Sequence, residues 1–158
     1  MSGDRSLEGF AFDAAIRALD KQEGVLDELR ARTGLLLAAS SLAISFLGRP
    51  AFERAHAIPL ALAIAAFVIS IAAAVYVLLP KSSFYFALSG RGVYEGLYEF
   101  REDPSEIQRR LVYDMQRFWE GNDAVMQRLF SGFRVAAASL VIEIGLLLFS
   151  VSDTLIWE

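Results

Sequence analysis

The chain contains no cysteine and only one histidine. Without cysteine there is no disulfide framework, no thiolate nucleophile and no Cys-based metal site. His56 stands alone beside the predicted end of an apolar run, so neither a His-based triad nor a zinc-protease motif can be assembled. Basic excess is missing too: the net charge is −4, which removes the positive face a nucleic-acid binder needs. The carboxylates show no paired arrangement within the apolar runs of the kind an intramembrane aspartyl protease needs. Taken together, these gaps predict a protein that is not an enzyme and that uses no cofactor and no metal. The first residues, MSGDRSLEGFAFDAAIRALDKQ, lack an apolar h-region, so no cleavable signal peptide is expected.

Charge is also missing from long stretches. None lies between Arg32 and Arg49, none between Arg54 and Lys81, and only Glu143 lies between Arg134 and Asp153. In their place the chain is 55% hydrophobic and 22% charged, with a mean hydropathy of +0.42. Soluble domains sit near 45–50% apolar, so the excess is concentrated in three runs rather than spread. A chain of 158 residues allows one compact domain. The expectation is an all-α integral membrane protein: three transmembrane helices, and two cytoplasmic helices extending them as a stalk.

A spanning helix needs about 20 predominantly apolar residues. Residues 57–79 meet this, with Pro59 in the first turn, where its missing N–H is harmless, and Tyr76 near the far end. Residues 33–48 are shorter and serine-dotted; taken alone they also fit a buried core helix. Flanking Arg30, Arg32 and Arg49 lengthen the effective span by snorkelling, and Gly48-Arg49-Pro50 is expected to stop the helix. Ala38, Ser41 and Ser45 recur at three- and four-residue spacing, a pattern that lets helices approach closely in lipid. Residues 134–152 carry Glu143 near the centre, with Trp157 beyond as an interfacial anchor, and residues 153–158 form an external tail. Lys and Arg lie overwhelmingly before the first run and between the second and third. The rule that positive charge stays inside therefore places the N-terminus and residues 80–133 in the cytoplasm, and the C-terminus outside.

The segment 1–32 reads as an amphipathic helix with Phe12, Ile16, Leu19, Leu26 and Leu29 close to one face, running without a stop into the first span. After the second span comes an aromatic- and glycine-rich stretch containing Phe84, Tyr85, Phe86, Tyr94, Tyr98 and Phe100. Those rings fit an interfacial belt better than a nucleobase stack. Asp103, Pro104 and Glu106 then read as a helix start. From there Ile107, Leu111, Met115, Phe118, Val125, Leu129 and Phe133 form an apolar stripe with spacings near 3.5, and Asn122 interrupts it as a polar member. A break at Gly132 would separate this helix from the third span.

Glu143 is the first candidate site. A carboxylate at mid-bilayer costs at least ~2.5–3.5 kcal/mol when it faces lipid, so it is expected to face protein or water. Two readings stay open: a pore, gate or oligomer-seeding group, or a structural hydrogen bond to Ser40, Ser41 or a backbone carbonyl. Ser45 belongs with these serines as a candidate contact. Arg91, bracketed by glycines, and the pair Arg109-Arg110 are candidate anion contacts. A turn and a solvated helix face with intrahelical ion pairs account for the same residues.

The order of these features resembles a known family. Leu26-Asp27-Glu28-Leu29-Arg30-Ala31-Arg32-Thr33-Gly34 passes straight into a short span. A second span ends Leu78-Leu79-Pro80, and a cytoplasmic helix carrying Asn122 leads to a span with Glu143. This is similar to the small bacterial membrane effectors of nucleotide-signalled anti-phage systems, the Pycsar transmembrane and SLATT-type effectors. The resemblance implies a homo-oligomeric inner-membrane protein that perturbs the lipid bilayer after sensing a cyclic nucleotide or a soluble partner protein. One departure is that no nucleotide-binding domain is recognisable in 80–133. A ligand site would therefore lie between subunits, with Arg91, Arg109 and Arg110 as its anion contacts. The alternative is an accessory membrane subunit that docks a soluble partner and forms no pore.

Overall fold

The computed structural model describes residues 7–54, 57–81, 84 and 104–156, with side chains described over 7–49, 57–81, 84 and 105–152. Over these residues the protein is all-α. Three helices follow one another: α1 (Leu7–Arg54), α2 (Ala57–Leu78) and α3 (Pro104–Ile156). Each contains a stretch long and apolar enough to cross a membrane. Glu8 lies in the first turn of α1, and Pro104 and Glu106 in the first turn of α3. Acidic groups there offset the positive helix end, and proline there lacks only an N–H that has no intrahelical partner.

Two expected helix boundaries are absent. Helix α1 continues through Gly48-Arg49-Pro50 to Arg54. Pro50 removes one bond, its own N–H to the Phe46 carbonyl, and the helix continues one turn beyond it. Nor does α3 break at Gly132. There the missing side chain serves packing: a Cβ would stand 3.1 Å from Val77 Cγ2 and 3.2 Å from Tyr76 Cδ1. Glycine at 132 therefore admits α2 close to α3.

The chain divides into two compact units, residues 1–27 with 81–127, and residues 28–80 with 128–158. Helices α1 and α3 each contribute to both. In the first unit the two helices bury Leu19 and Leu26 from α1, and Met115 and Met126 from α3. Asp13, Arg17, Asp20, Lys21, Arg110, Asp114 and Arg117 are exposed.

In the second unit three helices pack together. Val77 meets Gly132, Ser70 bonds to Ala136, and Ala63 packs on Leu147, so α2 runs antiparallel to α3. Ser40 bonds to Glu143, while Ile44 and Leu47 pack against the Ala63–Leu147 pair, so α1 runs parallel to α3. Small residues contribute much of the core between them: Ala63, Ala66, Ser70, Ala74 and Ala136 are all buried, beside Val77, Leu129 and Leu147.

Buried positions repeat every seven residues. On α1 they include Leu19, Leu26, Thr33 and Ser40, with Gln22 and Leu29 as the intervening set; on α3 they include Met115, Asn122, Leu129, Ala136, Glu143 and Ser150. On α2 Ala63, Ser70 and Val77 repeat in the same way. A period of seven keeps one seam of a helix turned toward its neighbour, as in left-handed coiled-coil packing.

Candidate functional site

The second unit buries polar side chains among its apolar core residues and exposes large apolar ones. Glu143 is fully buried (0% exposed), and Thr33, Ser40, Ser70, Ser139 and Ser150 are buried with it. Outward stand Leu42, Leu62, Val68, Ile69, Val141, Ile142 and Phe149, all exposed. Water would strip such a surface of its advantage, since large apolar side chains are normally buried in a water-solvated core. Hydrocarbon reverses the preference, and polar groups then gain by facing one another.

At the centre of this interior Ser40 Oγ donates to Glu143 Oε2 at 2.8 Å. The bond crosses from α1 to α3. Most other hydroxyls stay on their own helix: Thr33, Ser41, Ser45 and Ser150 donate to the carbonyls of Leu29, Leu37, Ser41 and Leu146. Such i−4 bonds let a hydroxyl sit in an apolar medium at little cost. Ser70 joins Ser40 in bonding between helices, donating to the Ala136 carbonyl at 3.1 Å.

Of the serines grouped with Glu143 from the sequence, the structure brings only Ser40 to it. Ser41 and Ser45 are exposed on the outward side of α1 with Ala38. Successive positions of a helix lie about 100° apart, so serines one and five residues beyond Ser40 leave the seam it occupies.

The first unit holds its own polar contact. Asn122 Nδ2 donates to Gln22 Oε1 at 3.3 Å, and Gln22 Nε2 donates to the Trp119 carbonyl at 3.1 Å. Asn122 is 1% exposed and Gln22 is buried. Of the stripe that the sequence marked out, Met115 and Asn122 are buried, whereas Leu111 and Phe118 are half-buried. Beside this contact Ala15, Ala18, Met115, Gln116 and Trp119 line a shallow groove. Leu7, Phe10 and Tyr113 of the same unit are also largely exposed.

Two of the candidate anion contacts, Arg109 and Arg110, are among the described residues. Arg109 Nη2 donates to Glu106 Oε1 at 2.8 Å, an exposed i,i+3 pair worth about 0.3–0.5 kcal/mol. Arg110 is exposed on the same helix. Arg91, His56, Asp103, Trp157 and the aromatics Tyr85, Phe86, Tyr94, Tyr98 and Phe100 lie outside the described residues. Before the first apolar run Arg32 pairs with Glu28 one turn back, both side chains exposed.

No family model, curated protein or solved structure matches the chain. The site's chemistry rests on its own geometry, an interior carboxylate held by a serine from another helix.

Sequence reasoning missed Gln22, Thr33, Ser70, Ser139 and Ser150 as interior polar groups. A signal was available for two of them, Thr33 and Ser150. The seven-residue register that carries Met115 and Asn122 reaches Glu143 and Ser150 when continued, and the register of Leu19 and Leu26 reaches Thr33 and Ser40. Nothing comparable marks Ser70, because all faces of α2 are apolar.

Proposed function

We propose that this chain is a multi-pass protein of the bacterial inner membrane that assembles with copies of itself and acts as an effector on the bilayer. The observation that carries the reading is the inverted surface of the second unit, with serines and Glu143 inside and large aliphatic side chains outside. The first unit has the opposite arrangement, with charges outward, and is assigned to the cytoplasm. Its helices sense a ligand or partner, a cyclic nucleotide being the class the family resemblance implies. The outward line Ala38, Ser41 and Ser45 supports self-association, since small residues on a lipid-facing helix allow another helix to approach closely. Pore formation belongs to this assembly: Glu143 has no exposed surface in one chain and reaches a conducting path only through rearrangement.

A second reading is favoured by the groove and exposed aromatics of the first unit. Phe10, Tyr113 and Trp119 give the charged unit an apolar surface on which a soluble partner could seat. The chain would then be an accessory subunit without a pore.

Light scattering of the detergent-purified chain, together with ion flux from liposomes, separates the two. The effector reading predicts a mass of several chains, lowered by Ser41→Phe with Ser45→Phe, and flux from the assembled form. A monomer that releases no ions, with or without cyclic nucleotides, contradicts it.

A further inference from the structure

Glu143 has two carboxylate oxygens, and the fold provides for one of them. Oε2 accepts from Ser40, while Oε1 is buried with no hydrogen-bond partner among the described residues. Buried polar atoms are rarely left in this state, because a bare acceptor forfeits its hydration without return. Other buried hydroxyls of the unit do not supply the missing bond. Thr33 and Ser150 spend their protons on their own helices, and Ser70 spends its proton on the Ala136 carbonyl.

Nor do the described residues supply a counter-charge. The nearest charged or titratable groups along the three helices are Arg32 and Arg49 on α1, Tyr76 and Lys81 at the end of α2, and Arg134 on α3. Tyr76 packs beside Gly132, about three turns of α3 from Glu143. An ionised Glu143 is thus alone in a low-dielectric interior, where an uncompensated charge is strongly destabilising.

We propose that Glu143 Oε1 is the anchor of an occluded site for one monovalent cation. Ser40 Oγ lies against the same carboxylate, and the buried Ser139 lies one turn before it on the same face of α3. Carboxylate, hydroxyl and helix carbonyl oxygens are the hard donors that small cations take. A single carboxylate balances one positive charge. A divalent ion would leave a net charge buried. Among the described residues no group of three or more His, Asp or Glu comes together to hold one. The shared chemistry is one positive charge delivered to Oε1, and its source is an alkali ion or a proton. The site requires only the packing of the second unit, so it stands whether or not the chain oligomerises or conducts.

Thermal unfolding of the purified full chain in detergent tests this, with choline chloride replaced stepwise by sodium or potassium chloride at constant ionic strength, at acid and at alkaline pH. For an alkali ion, the midpoint rises with saturation at alkaline pH. At a hundred times its dissociation constant the folding equilibrium shifts about a hundredfold. The response disappears in acid and in Glu143→Gln. For a proton, sodium and potassium do nothing, and acidification stabilises the wild type but not Glu143→Gln. If Glu143→Gln does not fold, Ser40→Ala takes its place with a weakened response to the same cation. A wild-type midpoint indifferent to both alkali ions and pH overturns the proposal. So does an equal response in wild type and variant.

Discussion

Asn122 and Gln22 show how a buried polar pair behaves when its partners are considered one at a time. Gln22 Oε1 accepts from Asn122 while Gln22 Nε2 donates to the Trp119 carbonyl. Replacing Asn122 by leucine leaves the Gln22 oxygen buried without that donor, a cost of about 1–3 kcal/mol. Replacing both Gln22 and Asn122 by leucine removes the orphan as well as the bond, and returns stability to wild type or above. Thermal unfolding of the two single variants and the double variant checks this, with non-additivity as the expected result. Equal and additive losses would show that the pair contributes only through packing volume. A polar residue at a heptad core position also fixes register, which gives a reason for placing one at Asn122 rather than another methionine.

At the scale of the element, glycines separate close packing from open helix surface. Gly132 faces Tyr76 and Val77 at a distance that even a methyl group would crowd, whereas a Cβ at Gly24 or Gly121 would meet nothing within 4 Å. Gly132→Leu is expected to cost about 1–3 kcal/mol by forcing α2 away from α3. Gly121→Ala is expected to add about 0.5–1 kcal/mol through helix propensity alone. Unfolding midpoints that move together in both variants would contradict this assignment of roles. The helices themselves were largely legible in the sequence. Residues 57–79 anticipate α2 to within a residue, and the stripe through Leu111, Met115 and Asn122 lies on α3. The stops were less legible. Gly48-Arg49-Pro50 and Gly132 look like breakers in isolation, yet one falls at the last turns of a long helix and the other is held by a packed neighbour. The partner of Glu143 was only half legible. Three serines sit within one and a half turns of α1, and hydropathy cannot say which faces inward. The heptad register can, once it is carried across Arg32 into the apolar run.

For the whole molecule, the two units present opposite surfaces from the same two helices. Charged residues cover the first, and Leu62, Val68, Ile142 and Phe149 cover the second. A single solvent cannot favour both. The account therefore requires water around one and hydrocarbon around the other. The absence of native cysteine makes this directly testable, since every introduced thiol is the only one present. Single cysteines at Asp20, Arg49, Arg110, Val68 and Ile142 would be exposed to a membrane-impermeant maleimide in intact cells and after lysis with the membrane retained. The account predicts labelling at position 49 in intact cells, at positions 20 and 110 only after lysis, and at positions 68 and 142 in neither condition. Labelling of positions 68 and 142 as fast as position 20 would show that the apolar surface meets water, and would contradict the assignment of the second unit to the bilayer.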